Sequence, residues 1–474
     1  MFRTAIPTAS RRRSSSCDQE HFVTHTRGEL FDPLFGAGGE PALAEEISDH
    51  AWVVALLQVE AALTRAAATV GLVSAEHAAT VTSVAAALGA PDGIDIADLG
   101  RRSAAGGNPV IPLVRLLRAA CAAEGVPASA VHVGATSQDV MDSALMLLSR
   151  RAGRRVLADL QAAANAGAEL ARAHRDTPMV ARTLGQQALP TTFGALAVSW
   201  FTGLDDATAQ LERALSALPV QFGGAAGTLA AVHPHGLAMA EALADELGLA
   251  QQVVPWHTTR TPIAALASAL GVAAGAISKP ATDITAMAST EFGEVAEDAP
   301  GGSSAMPHKQ NPVAAITARA AARRVPGLVA TVLSSMDHEF ARAAGAWHAE
   351  WETLTDLLRL TGGAAHRLAA SLGGLRVHGD AMAHNLDITG GLILAERVTG
   401  ALSAHTDSAR DIVTAAAASG VPLDRAPQIT AHLSADELRD LLDPSNYLGH
   451  AGDLVDRALA ARTTQTDRTF GGLV

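Results

Sequence analysis

Apolar residues between Trp347 and Leu372 recur at spacings of three, four and seven, and this periodicity constrains the fold more than any other feature of the sequence. The run comprises Trp347, Trp351, Leu354, Leu358, Ala365, Leu368 and Leu372. Such spacings place the side chains on one face of an α-helix, here over about seven turns. A helix of this length with one apolar face is typical of a bundle whose helices cross between subunits.

The composition also favours helices. Of 474 residues, 48% are hydrophobic and 3% are aromatic, so a large core must consist mainly of Ala, Leu and Val. Strands prefer aromatic and β-branched residues, whereas Ala and Leu are strong helix formers. Further helices are predicted to begin near Ser48-Asp49, to run from Val140 to about Arg175, and to cover 261–292. We therefore predict an all-α protein with a central bundle of long helices.

Three domains are predicted after an N-terminal tail. Residues 1–26 contain the basic cluster Arg11-Arg12-Arg13 but no apolar signal-peptide core. We expect a disordered tail, with a targeting segment or an over-extended start as alternatives. Residues 27–125 are expected to form an N-terminal helical domain, 126–375 the long-helix bundle, and 376–474 a small C-terminal helical domain.

Charge and cysteine content exclude several classes of function. The net charge is −13 at pH 7, and no Lys/Arg-rich stripe indicates a nucleic-acid-binding face. Two cysteines, Cys17 and Cys121, make neither a disulfide framework nor a zinc site, so a reducing cytoplasm is expected. Thr261 to Ser278 is uncharged over 18 residues, but its Ala, Gly and Ser content indicates a helix buried in a bundle rather than a membrane span.

Polar, glycine-rich segments interrupt the helices at five places, and functional residues are expected on such loops. The segments are "GGNPVIP" (106–112, within a loop predicted over 91–112), "VPASAVHVGATSQD" (126–139), "RTLGQQALPTT" (182–192), "QFGGAAGT" (221–228) and "GGSSAMPHKQNP" (301–312).

The fifth segment resembles the signature of the fumarase/aspartase superfamily, which is roughly GSSxMPxKxNP. The agreement covers Gly302, Ser303, Ser304, Met306, Pro307, Lys309, Asn311 and Pro312. The stretches 132–142 and 182–194 are similar to the first and second signature regions of the superfamily, and the resemblance covers about residues 27–474. It implies a fumarase/aspartase-like, three-domain helical protein whose long helices form the core of a homotetramer. Each active site would combine residues from three subunits.

The resemblance implies addition or elimination next to a carboxylate, with neither a metal nor an organic cofactor. Ser303 would be the base that takes the proton α to the carboxylate, and Lys309 would stabilise the aci-carboxylate so formed. His132 would act as an acid/base or as a substrate contact. Substrate contacts are expected from Asn108, Thr136, Ser137, Gln138, Arg182, Gln186, His257, Arg260, Ser304, Asn311 and Arg342.

Several of these residues have structural alternatives. Ser303 and Ser304 are also common turn formers, and the alternative for His132 is an ordinary surface or loop histidine. In the structural alternative, Thr136 or Ser137 caps a helix, and His257 and Arg260 have structural roles in their loop. Other structural readings are that Arg342 pairs with Glu339 at a spacing of three on a helix, and that His348 and Glu350 only pack.

Leu184 departs from the superfamily pattern, because most of these lyases carry Thr-His where this chain has Thr183-Leu184. Leucine cannot protonate a leaving amine or hydroxide. A carboxylate needs no such acid, since its conjugate acid has a pKa of about 4. The departure therefore favours a reaction in which the leaving or attacking group is a carboxylate.

Four stretches resemble the bacterial 3-carboxy-cis,cis-muconate cycloisomerases of protocatechuate catabolism in the β-ketoadipate pathway. They are "GNPVIPLV" (107–114), "PWHTTR" (255–260), "GAWHAEWETL" (345–354) and "DPSNYLG" (443–449). This resemblance implies intramolecular lactonisation of a tricarboxylate, with no nucleic-acid or membrane partner. The alternatives are a C–N lyase similar to adenylosuccinate lyase and an inactive structural homologue.

Overall fold

The computed structural model describes residues 41–302 and 305–470, with side chains over 43–302 and 305–463. The predicted tail and the serine pair Ser303-Ser304 lie outside the described residues.

The helices are α1 (Pro41–Glu46), α2 (Asp49–Thr69), α3 (Ala75–Leu88), α4 (Ile96–Gly106), α5 (Val110–Ala123), α6 (Ser137–Ala173), α7 (Phe193–Ser216), α8 (Gly236–Leu247), α9 (Thr261–Met287), α10 (Val313–Ala322), α11 (Val325–Ser334), α12 (Ala346–Gly373), α13 (Gly379–Asp387), α14 (Ala395–Leu402), α15 (Ala409–Ser419), α16 (Pro427–Thr430), α17 (Ala435–Leu441) and α18 (Ala451–Phe470). The strands are β1 (Pro178–Thr183), β2 (Gln186–Thr192), β3 (Val295–Glu297) and β4 (Leu375–Val377). Short 3₁₀ turns cover Ala128–Ala130, Ala230–Val232, Leu392–Leu394, Leu423–Arg425 and Pro444–Tyr447.

A bundle of long helices forms the centre of the molecule, as the all-α prediction requires. Helices α6, α7, α9 and α12 pack together, and the shorter α10 and α11 follow one another along the same bundle. Helix α6 alone has 37 residues, which corresponds to about 55 Å. Close approach between α6 and α7 depends on Gly153, because a Cβ there would collide with the side chain of Leu215. The core is mainly Leu, Ala and Val, as the composition predicts.

Two helices, α2 and α9, are long and apolar enough to span a membrane by length and composition. In the structure, 67% of the apolar window of α2 and 50% of that of α9 are buried inside the molecule. Both helices therefore have the character of core helices in a bundle.

Local capping explains where one predicted helix begins and where one loop prediction is wrong. Ser48 caps α2 by accepting a hydrogen bond from the Ala51 N–H at 3.1 Å, which confirms the predicted start. Residues 91–112, predicted as a loop, contain helix α4. Asp95 caps that helix through the Asp98 N–H, and the helix buries Leu99. The breaking residues Pro91, Asp92 and Gly93 end before the helix starts, so they separate two helices.

Two short antiparallel ribbons accompany the helices within the described residues, and the sequence did not indicate them. Strands β1 and β2 pair as a hairpin with Thr183 opposite Gln186, and β3 pairs with β4 through Val295 and Val377. Leu184 and Gly185 form the hairpin turn with φ of 52° and 80°. Two successive positive φ angles are typical of a type I′ turn, whose twist matches that of the strands.

The C-terminal region forms a small hydrophobic cluster of its own. Val398, Leu402, Val413, Leu423 and Leu438 are among its buried residues. The final helix α18 then returns to pack against α7 and α6. The predicted boundary at 375/376 falls inside β4, and the division into domains stays a prediction.

Candidate functional site

The N-terminal ends of α6, α9 and α12 meet around one buried arginine. Arg260, which directly precedes α9, donates to Asp142 of α6 at 2.8 and 2.9 Å, and to Glu350 of α12 at 2.6 Å. The indole N–H of Trp347 also donates to Asp142 at 3.0 Å. All three charged side chains have no exposed surface, so the network fixes three long helices relative to one another.

Asp139, one turn before Asp142, connects three loops. Its Oδ1 accepts from the Gly223 N–H at 2.9 Å and contacts His257 Nε2 at 2.7 Å. Its Oδ2 accepts from the N–H groups of Gly224 and Thr136, both at 2.9 Å. One buried carboxylate thus joins the loop before α6 to the 221–228 and 255–260 loops.

His132 lies in the same group of loops, next to a buried carboxylate. Its Nδ1 is 2.7 Å from Oε1 of Glu60, whose side chain has no exposed surface. Burial lowers the pKa of His132, but the charge of Glu60 and its hydrogen bond raise it more, so the net shift is upward. Arg118 opposes this shift and Asp139 adds to it.

Other predicted site residues also gather at this end of the bundle. Gln138 is buried and donates to the His257 carbonyl at 2.8 Å. Asn108 accepts from the Val110 N–H at 3.1 Å. Arg342 donates to the Ala225 carbonyl at 3.3 Å. Thr136 is the N-cap of α6 and forms a capping box with Asp139, and Ser137 is the first residue of the helix. Both remain half-buried, and their substrate contacts stay predictions.

The geometry argues against two of the predicted substrate contacts. Arg260 is 1% exposed, and all five of its N–H groups face Asp142, Glu350 or the Trp256 carbonyl. Burial lowers the pKa of Arg260, but the two carboxylates raise it by more, so the net shift is upward. Arg260 therefore stays charged, and Asp142 and Glu350 balance its charge. His257 is 4% exposed and held by Asp139. We therefore assign both residues structural roles.

The alternative that pairs Arg342 with Glu339 on a helix is also wrong. Residues 336–345 form the loop between α11 and α12. Glu339 instead accepts from the Ala344 N–H at 2.9 Å, which stabilises the loop.

The second signature region lies at the opposite end of the bundle, on the β1–β2 hairpin. Arg182 forms a two-pronged ion pair with the buried Glu294, at 2.6 and 2.9 Å, and stacks over the ring of Phe292. Its positive charge is thereby largely neutralised. Gln186 is exposed, and Leu184 at the hairpin tip is fully exposed.

The glycine-rich signature loop is closed at its base by Gly301 and Asn311, which exchange two backbone hydrogen bonds of 2.9 Å. The Asn311 side chain donates to the Gly301 carbonyl at 3.1 Å and accepts from Lys309 Nζ at 2.8 Å. Lys309 is exposed, at the rim of this loop. Ser303 and Ser304 fall between Gly301 and Asn311 in the sequence but lie outside the described residues, so their predicted roles stay predictions.

The two groups of residues are far apart within one chain. Glu350 of α12 contacts Arg260 at the first end, whereas Ser371 of the same helix donates to Glu297 beside the signature loop at 2.6 Å. Twenty-one residues of helix separate these positions (371 − 350), or about 30 Å. His132 and Lys309 of one chain therefore cannot contact the same small molecule.

Glu60, Asp139 and Asp142 are the main features of the site that sequence reasoning missed. Glu60 is the one charged residue between Asp49 and Arg65, in a stretch otherwise composed largely of apolar residues. This contrast could have indicated a paired, buried acid, because a single carboxylate on a buried helix face requires a partner.

Comparison with known proteins gives concordant results. Residues 38–327 match a family model described as "Lyase". The chain is 44% identical over 436 residues to a nitrosuccinate lyase of Streptomyces davaonensis, covering 87% of this chain and 91% of that protein. It is 41% identical to a 3-carboxy-cis,cis-muconate cycloisomerase of Pseudomonas aeruginosa, covering 91% and 96%.

A solved structure shows the same fold. The 3-carboxy-cis,cis-muconate lactonizing enzyme of Pseudomonas putida superposes with a TM-score of 0.86 at 39% identity, covering 92% of this chain and 99% of that one.

Proposed function

Because this chain belongs to the lyase family and has the fumarase/aspartase fold, we propose that it lactonises 3-carboxy-cis,cis-muconate to 4-carboxymuconolactone. In this reaction one carboxylate of the substrate adds to a double bond of the same molecule.

The observation that carries the proposal is the apolar residue at the hairpin tip. Leu184 is fully exposed, on a turn that presents it outward, at the position where most lyases of the superfamily have a histidine. A leucine cannot supply a proton to a departing amine. Lactonisation needs none there, because the carboxylate both attacks and leaves as an anion at neutral pH.

The remaining roles follow from the chemistry of the addition. As the carboxylate oxygen bonds to one alkene carbon, the electron pair moves towards a neighbouring carboxylate and forms the aci-carboxylate. Lys309 and Asn311 would stabilise this dianion, and Ser303 would deliver the proton to its α-carbon. The trianion thereby takes up one proton and becomes a dianionic lactone, and Ser303 would regain its proton from solvent.

The positive field for a tricarboxylate must be local, since the chain has a net charge of −13. Arg260 and Arg182 are paired with buried carboxylates, so they contribute little free charge. Of the predicted contacts, Lys309, Arg342 and, when protonated, His132 are left to supply positive charge to the substrate. These lie at both ends of the bundle, which supports a homotetramer in which different chains complete each site. We place this small-molecule enzyme in the cytoplasm.

Elimination of nitrite from nitrosuccinate is a second candidate, favoured by the 44% identity to a nitrosuccinate lyase. Nitrite, like a carboxylate, is the anion of an acid much stronger than ammonium. It leaves without a proton, so Leu184 is compatible with this reaction as well. An amine-eliminating activity is the one that Leu184 disfavours.

A parallel substrate assay separates these functions. Purified enzyme is mixed with 3-carboxy-cis,cis-muconate, nitrosuccinate or adenylosuccinate, and each is followed by its ultraviolet band or by nitrite release. We expect loss of the muconate diene band, with kcat reduced at least about a hundredfold in Ser303→Ala. Nitrite release alone would establish the second candidate, and turnover of adenylosuccinate alone would refute both. No turnover of any substrate would favour the inactive homologue.

A further inference from the structure

Glu60 is a buried acid for which the packing of α2 gives no reason. Its neighbours Val59, Ala61, Ala62 and Leu63 are buried and apolar. Its Oε1 contacts His132 Nδ1, while its Oε2 is buried without a hydrogen-bond partner among the described residues. Burying a half-satisfied carboxylate costs stability, so an apolar residue would serve the core better.

His132 is also held in an unfavourable conformation. Its φ is +63°, a left-handed backbone angle that costs about 1 to 3 kcal/mol in a residue with a side chain. The adjoining Gly134 fits closely against Val232, which a Cβ would strike, so the loop has little freedom to relax. Both observations indicate that the position of the imidazole matters more than local stability.

The contact with Glu60 leaves the other ring nitrogen available. The His132 side chain is 16% exposed, and its Nε2 has no hydrogen bond among the described residues and is not one of their buried unpaired atoms. With Nδ1–H donated to Glu60, Nε2 is the ring nitrogen that remains to contact a ligand.

We propose that Glu60 is a positioning residue, which orients His132 through Nδ1 so that Nε2–H is presented to a carboxylate of the substrate. The inference rests on the proposed function, because it requires a substrate with several carboxylates. Glu60 itself touches no substrate.

The charges around His132 agree with this role. Glu60 on α2 and Asp139 on α6 raise the pKa of the imidazole, Arg118 on α5 and burial lower it, and the net effect is a rise. The imidazolium, with both N–H groups as donors, therefore persists to higher pH than in an ordinary histidine.

Glu60→Gln tests the proposal, because it keeps the shape and a hydrogen-bond acceptor while it removes the charge. Glu60→Asp retains the charge, and Glu76→Gln, at an exposed position of α3, is the matched control. The pKa of His132 is measured by NMR on enzyme with isotope-labelled histidine, without substrate, and its signal is assigned by its loss in His132→Gln.

In the free enzyme we expect His132 to titrate above the ordinary value of about 6.5. We expect its pKa to fall by about one unit in Glu60→Gln, to be largely restored in Glu60→Asp, and not to change in Glu76→Gln. A His132 pKa at or below the ordinary value in the wild type, or no fall of this pKa in Glu60→Gln, would overturn the proposal. The wild-type titration decides the matter even if Glu60→Gln does not fold.

Kinetics with whichever substrate is turned over provide the second readout. At a pH well above both measured pKa values, a one-unit fall removes about nine-tenths of the imidazolium, so KM should rise about tenfold with little change in kcat. At a pH well below both measured pKa values the two enzymes should converge. A pH-independent loss of kcat would mean a merely structural role for Glu60. If the NMR shifts appear but no substrate reacts, the proposed function fails while the Glu60–His132 coupling stands.

Discussion

Leu184 is the single residue that argues against an amine elimination and in favour of a leaving group that needs no acid. Introducing Leu184→His restores the proton donor found in most related lyases, but a reaction whose leaving group is a carboxylate or nitrite gains nothing from it. We expect kcat to rise by no more than about twofold, measured by loss of the diene band. The exposed Leu189→His serves as the control for adding a histidine to the same hairpin. A tenfold or greater rise confined to Leu184→His would contradict the account of the missing acid.

Arg260 shows how one residue decides between a structural and a substrate-binding role. Arg260→Met would leave Asp142 and Glu350 as uncompensated buried charges. We therefore expect the free energy of unfolding to fall by about 3 to 5 kcal/mol in urea denaturation at fixed protein concentration. Arg154→Met, at an exposed site on α6, should change it by less than about 0.5 kcal/mol. Unchanged stability together with a raised KM would restore Arg260 as a substrate contact.

At the scale of elements, the packing of α6 against α7 requires a glycine. In Gly153→Ala the new methyl group would strike Leu215 on α7, so we expect a loss of about 1 to 3 kcal/mol in stability. Gly100→Ala is the matched control, because nothing lies within 4 Å of its added Cβ on exposed helix α4. That variant should gain about 0.5 to 1 kcal/mol from reduced backbone freedom in the unfolded chain. Equal changes in the free energy of unfolding for Gly153→Ala and Gly100→Ala would mean that α6 and α7 can move apart without a cost in stability.

The long helices were predictable because their signals are local. Periodic apolar residues indicate α12, and Ser48 marks the start of α2 through a hydrogen bond three residues away. Helix α4 was missed because it buries only Leu99 and follows a Pro-Asp-Gly break. The β1–β2 hairpin was missed because its turn uses Leu184, a residue rarely found at positive φ.

The candidate site was predictable as a set of loops, but its internal partners were not. The resemblance to the superfamily predicts roles for His132 and Lys309, yet no local pattern pairs Glu60 with His132, 72 residues later. The same limit applies to Arg260, whose carboxylate partners lie on helices 118 and 90 residues away in sequence. Whether an arginine is free or neutralised depends on such tertiary contacts, and sequence spacing does not report them.

At the scale of the whole molecule, the proposed site needs two groups of residues that a single chain holds apart. His132 and its loops occupy one end of the bundle, and Lys309 and the hairpin tip occupy the other, about 30 Å away along α12. No small tricarboxylate spans that distance. The account therefore requires that the first end of one chain meets the second end of another in the assembled enzyme.

Mixing two variants, each impaired in one half of the site, tests this claim most directly. His132→Gln and Lys309→Met chains are purified separately, then unfolded and refolded together in equal amounts. Diene loss at a substrate concentration well below the wild-type KM is compared with that of each variant refolded alone. If the two halves come from different chains, random mixing leaves both halves intact in roughly a quarter of the sites, so we expect activity near a quarter of that of refolded wild type. Activity no higher than that of the separate variants, in mixed oligomers shown to form, would mean that one chain supplies both halves and would contradict the account.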